Sequence, residues 1–182
     1  MTGSLVQGDP ASISVLGADL VRQADLLREH RDDLARVRVS LGSWEGPAAH
    51  SFDTALSAQV RAVDEAADAL AEGGRALQSY AVDLQHARAL ATEAEQFVSS
   101  HGLTIEDTRV QMPWGAYSLE EARSYEHHVP EGQRLVDQAV AERDEATRAL
   151  RLRTEGPTSV LRQTPVQVAS AVAVAQGSVS RR

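Results

Sequence analysis

The side chains able to do chemistry are few and badly spaced for it. His127 and His128 are neighbours. On a helix adjacent side chains point about 100° apart, so the two do not readily hold one metal ion. Glu126 and Glu131 nearby are read as solvated surface. Asp32 and Asp33, and Glu93 and Glu95, fall on different helix faces and make no carboxylate pair for acid–base work. There is no Gly-rich phosphate loop, no Gly-x-Ser-x-Gly elbow and no His-Glu-x-x-His. The chain has no Cys, and all 18 basic residues are Arg. Disulfides, thiolate zinc sites, a cysteine nucleophile, a P-loop lysine and a Schiff-base lysine are therefore excluded. The expectation is a chain with no catalytic residues, no cofactor and no metal. Two groupings invite a binding role instead. Arg143, Arg148, Arg151 and Arg153 would suit a helix C-terminus, or an acidic partner. Met112-Pro113-Trp114-Gly115-Ala116-Tyr117 would plug a helix junction or anchor an interface.

The elements that must carry these groups are helical. The chain has 182 residues, a formal net charge of −8, 42% hydrophobic residues and 4% aromatic. That acidic balance disfavours nucleic acid and anionic membranes as partners. No run approaches the ~18 apolar residues of a membrane span, and the first ten residues lack the pattern of a Sec-type signal peptide. Residues 1–10 are read as a flexible leader. A first helix is expected from near Ser12 or Ser14, with Leu20, Leu27, Leu34 and Leu41 at sevenfold spacing and Leu16, Ala24 and Val37 on the same face. Leu41-Gly-Ser-Trp-Glu-Gly-Pro breaks the pattern, and Pro47 suits the first turn of a new helix. Leu56, Val63, Leu70, Leu77, Leu84, Ala91 and Val98 then hold one heptad phase, which predicts a helix from about Pro47 to about Ser100, with Gly73-Gly74 as a point of kinking.

A short connection makes the two helices an antiparallel hairpin covering 11–100. Residues 101–129 are expected to be a loop with a short helix begun by the capping box Ser118-x-x-Glu121. A third helix over 130–153 would cover the second half of the long one, and 154–182 would be a disordered tail or linker. The expected fold class is all-α: an elongated, coiled-coil-like antiparallel hairpin with a third helix.

Trp44-x-Gly46 in the bend, Ala48-Ala49 and Phe52 after it, Gly8-Asp9-Pro10 ahead of it, and Leu77-x-x-Tyr80-Ala81-x-x-Leu84-x-x-Ala87 together resemble the Trp-x-Gly helical hairpins of type VII (ESX) secretion substrates. The likeness covers about residues 8–100 and is similar to the amino-terminal regions of actinobacterial polymorphic toxins. It implies a hairpin usually paired with another hairpin, exported folded, with the bend as half of a bipartite recognition surface. A bend tryptophan also staples the open end of a helix pair through ~200 Å² of apolar surface. The second half of the family's signal, Tyr-x-x-x-Asp/Glu, is absent at Tyr80, where Leu84 stands in the acid's place. Tyr117-x-x-x-Glu121 fits the letters about twenty residues further on.

The function expected is therefore a type VII targeting or adaptor module, the export-guiding head of a toxin or its helical partner, binding helix to helix. Its docking strip would be Leu77, Tyr80, Leu84, Ala91 and Val98, left uncovered by the first helix. Implied partners are another helical-hairpin protein or toxin and the type VII machinery, with a hetero- or homodimer as the form. Implied locations are outside the cell after export and the cytoplasm before it. The alternative is a self-associating coiled-coil scaffold unrelated to secretion.

Overall fold

The computed structural model describes residues 5–40 and 44–179, with side chains to residue 165 apart from Arg38 and Ser40. The order is α1 (Pro10–Ser40), α2 (Pro47–Ser100), β1 (Thr104–Glu106), β2 (Arg109–Gln111) and α3 (Leu119–Val179). Among the described residues the fold is helical, as expected, apart from one small antiparallel hairpin that pairs Ile105 with Val110.

Local chemistry accounts for each helix end. Asp9 caps α1: its carboxylate accepts from the Ala11 and Ser12 N–H groups, and its carbonyl accepts from Ile13. Pro10 then occupies the first helical position, where no N–H is needed. α1 therefore starts at Pro10, ahead of the expected Ser12 or Ser14, because an Asx cap followed by proline is the stronger start. α2 opens the same way, with Gly46 accepting from the His50 N–H and Pro47 following. At its far end Leu103 donates to the Val98 carbonyl and Gly102 to that of Ser99, with Gly102 at φ 67°. This is the Schellman arrangement, completed by contact of Leu103 with Val98. The capping box at α3 is present: Ser118 N–H donates to Glu121, and the Glu121 N–H donates to the Ser118 hydroxyl.

The described residues fall into two compact units. One contains residues 5–14 and 79–150. Its core joins Val6, Leu84, Ala87, Ala91 and Ala139 in one cluster, and Ala94, Val98, Leu103, Val110 and Val136 in another. The second half of α2 is thus covered by α3, as the heptad reading expected. Gln133 of α3 fastens the β-hairpin, accepting from the Val110 N–H and donating to the Thr108 carbonyl. The hairpin turn needs that support, since Asp107 and Thr108 both stand at positive φ.

The other unit contains residues 15–40, 44–78 and 151–179. Ala24 of α1 packs on Ala67 and Ala71 of α2. Arg28 reaches Asp68 at 2.9 Å and Arg31 reaches Asp64 at 2.6 Å, so numbers rise in one helix as they fall in the other. Leu20, Leu27 and Leu34 are half-buried on this face, whereas Leu16 and Val37 are exposed. Leu41 lies outside the described residues. Ala62, Ala69 and Ala76 form a second buried column on α2. At 100° per residue it faces roughly away from Ala67 and Ala71, so α1 cannot cover both columns.

Three expectations are corrected. Residues 5–9 are no frayed leader: Val6 is 1% exposed because the seam beneath it offers an apolar slot. The loop helix and the third helix are one element, and it continues past residue 153 to Val179. Pro157 is buried, with Val160, Leu161 and Thr164 half-buried at helical spacing. That weak face lets 151–165 pack where a purely polar tail would stay solvated. Gly73-Gly74 lies inside α2, which runs on to Ser100 as the heptad phase predicts. Gly74 faces α1 at close range, and a Cβ there would stand 2.6 Å from the Gly17 carbonyl oxygen.

Candidate recognition site

The Trp-x-Gly bend is built by backbone constraints. Gly46 stands at φ +106°, a conformation that side chains resist, and from it Pro47 starts α2. This turn leaves Trp44 beside Phe52 one turn into the helix, with ring centroids 5.6 Å apart and planes tilted by 54°. Trp44 is 45% exposed and Phe52 39%. Val37 and Val39, near the end of α1, are also exposed. An indole and a phenyl ring that brace each other and still meet water form an apolar contact point, the kind that anchors an interface. The staple role is thereby partial: Trp44 packs on Phe52 without being buried.

Tyr117 and Glu121 belong to the other unit, and they do not share a helix face. Glu121 is held by the capping box, and its bonds from Ser118 keep its carboxyl below the ordinary glutamate range. Tyr117 precedes the helix and sets its ring edge-on to Tyr125 at 5.2 Å. A serine between the two residues serves as N-cap, which prevents them from being an i, i+4 pair.

The expected docking strip is also altered. Leu84, Ala91 and Val98 are at most 3% exposed, and Leu77 and Tyr80 are half-buried. Val136 and Ala139 of α3 and the Leu5–Val6 segment lie against the buried three, so no free seam remains there. Trp114 does not plug a junction, being fully exposed with Met112 and Leu119 exposed near it in sequence. The Arg143–Arg153 group lies within α3, far in sequence from its C-terminus, because the helix runs on to Val179. Arg143 pairs with Asp144 and Arg148 with Glu145.

Sequence reasoning missed Val6, and it took Gly8 only as part of the Gly8-Asp9-Pro10 lead-in. The alternation of apolar Leu5-Val6 with a capping Asp9-Pro10 was the available signal.

His128 stacks on His101 with ring centroids 4.0 Å apart, while His127 meets His128 edge-on. The Nδ1 atoms of His101 and His128 each contact the carbonyl four residues back, at 2.8 and 2.7 Å. Among the described residues no three His, Asp or Glu side chains are grouped to hold a metal ion. No helix among them is long and apolar enough to cross a membrane.

No curated protein and no solved structure matches the chain. A family model does, over residues 2–175, and by that match the chain belongs to the type VII secretion family described as "Putative T7SS secretion signal domain".

Proposed function

We propose that this chain is a targeting or adaptor module of type VII secretion, acting by binding and not by catalysis. It is the export-guiding head of a toxin or the helical partner of one, and the Trp44–Phe52 bend is its contact point with a helical partner or the machinery. The carrying observation is an exposed indole held on a Gly46-dependent turn, in a chain with only two tryptophans. Interface anchors have this character: rigid aromatic surface offered at low entropic cost. Family membership over nearly the whole chain supports the secretion context. The buried state of Leu84, Ala91 and Val98 moves the proposed contact from the seam to the bend.

The test is export of Trp44→Ala in the native host. Secreted protein should fall at least tenfold while the purified variant keeps its helical circular dichroism and unfolding midpoint. Unchanged export would sink this reading. It would favour the second one, a self-associating scaffold, for which the exposed Met112, Trp114 and Leu119 supply the surface.

A further inference from the structure

Residues 5–8 lie in their unit as a ligand lies in a site. Val6 fills a slot lined by Leu84, Ala87, Ala91 and Ala139 and is 1% exposed. Three side chains hold the segment's main chain. Glu95 accepts from the Leu5 N–H at 3.2 Å, Arg143 donates to the Leu5 carbonyl at 3.5 Å, and Arg88 donates to the Gly8 carbonyl at 3.1 Å. Gly8 stands at φ +117°, and a Cβ on it would meet the Leu84 side chain at 3.0 Å. Gln7, Gly8 and Asp9 are exposed, and the segment belongs to no helix or strand. One apolar anchor with the flanking backbone read by polar groups is how proteins bind extended peptides.

We infer that the groove between α2 and α3 is a peptide-binding site. Its resident ligand in cis is Leu5–Gly8, and its occupant in trans is an extended partner segment with a branched apolar residue two places before a glycine. Detachment of the strap bares Leu84, Ala87 and Ala91 without requiring the helices to part. The pattern follows from the contacts: the slot takes the branched side chain, and the positive φ beside Leu84 requires the glycine. Arg88 and Arg143 recognise carbonyls and Glu95 an N–H, so the positions flanking the anchor are read through their backbone. This inference does not rest on the bend, and its failure would leave the export reading intact.

The experiment uses the full-length Val6→Asp variant, isotope-labelled for NMR, and a capped Leu-Val-Gln-Gly-Asp peptide. The expected result is a saturable set of shifts confined to residues 84–95 and 136–143. The same peptide with Asp in place of its valine should give none. The unsubstituted chain should respond more weakly, by roughly tenfold or more, because its tethered strap competes at a millimolar-scale effective concentration. A folded Val6→Asp variant that shows no shifts overturns the inference. Should that variant not fold, hydrogen exchange of the unsubstituted chain decides. Exchange of the Leu5 amide while the amides of 84–91 stay protected supports a detachable strap. Exchange of all of them together makes the segment an inseparable part of the core and overturns it.

Discussion

The two units hold their helices by different means. In the unit of residues 5–14 and 79–150, branched side chains fill the space: Leu84, Val6 and Val136 are the largest fully buried groups. In the unit of 15–40, 44–78 and 151–179, the fully buried part of the α1–α2 contact is Ala24, Ala67, Ala71 and the Gly17–Gly74 crossing, with half-buried Leu27 and Leu70 packed beside it and Arg28–Asp68 and Arg31–Asp64 at its edge. Alanine and glycine let backbones approach closely but bury little area, and exposed ion pairs add little. The first arrangement is sensitive to lost volume and the second to added volume. Both units leave large apolar groups outside, Trp44 and Phe52 in the second and Trp114 and Leu119 in the first. The Trp44–Phe52 bend belongs to the unit whose helices cross on alanine and glycine.

The sharpest way to break this comparison is to remove volume from the first unit. Leu84→Ala should cost about 3 kcal/mol in urea unfolding, since the slot is closed on several sides by α3 and the strap. A loss under ~1 kcal/mol would mean the site collapses freely and the contrast is false. Adding volume to the second unit comes next. Gly74→Ala should destabilise by about 1–2 kcal/mol, because the new Cβ meets the Gly17 backbone. Its neighbour Gly73 has nothing within 4 Å of such a Cβ, so Gly73→Ala should stabilise by about 0.5–1 kcal/mol through helix propensity. Opposite signs at adjacent glycines, read by thermal unfolding, are the check. The smallest effect is acid sensitivity. Asp9, held down first by its bond from Ser12, and Glu121, held down by Ser118, both titrate below their ordinary range in the folded chain. A depressed carboxyl contributes stability above its unfolded value and loses it as pH falls through the folded one. Both caps lie in the first unit, so its stability should decline as pH drops below about 4. Replacing Asp9 and Glu121 by Asn and Gln should flatten that decline, as followed by residue-resolved NMR.

Much of the fold was legible. The heptad phase from Leu56 to Val98 marks α2 because a continuous apolar stripe at 3.5-residue spacing has only one regular conformation that buries it. Ser118-x-x-Glu121 marks a helix start because its reciprocal bonds are local. The Trp44–Gly46 bend was legible for the same reason, set by glycine and proline within four residues. The occupancy of the seam was not legible. Leu84 and Ala91 are apolar whether they meet α3, a strap or a foreign helix, and periodicity names a buried face without naming what buries it. The helical run past Arg153 was hidden because Pro157 and Pro165 oppose a helix locally. Tyr117 and Glu121 matched by letters only, since four residues make one helix face only where both lie within the helix.

Sequence alone determined the helical period, the helix starts at Gly46-Pro47 and Ser118, and the bend, because each depends on interactions spanning a few residues. Tertiary structure alone decided that Val6 fills the slot over Leu84, that Gly74 lies against Gly17 of α1, and that Trp44 stays in contact with water. Those outcomes depend on which surfaces compete for the same apolar area, and that competition is settled only when distant parts of the chain meet.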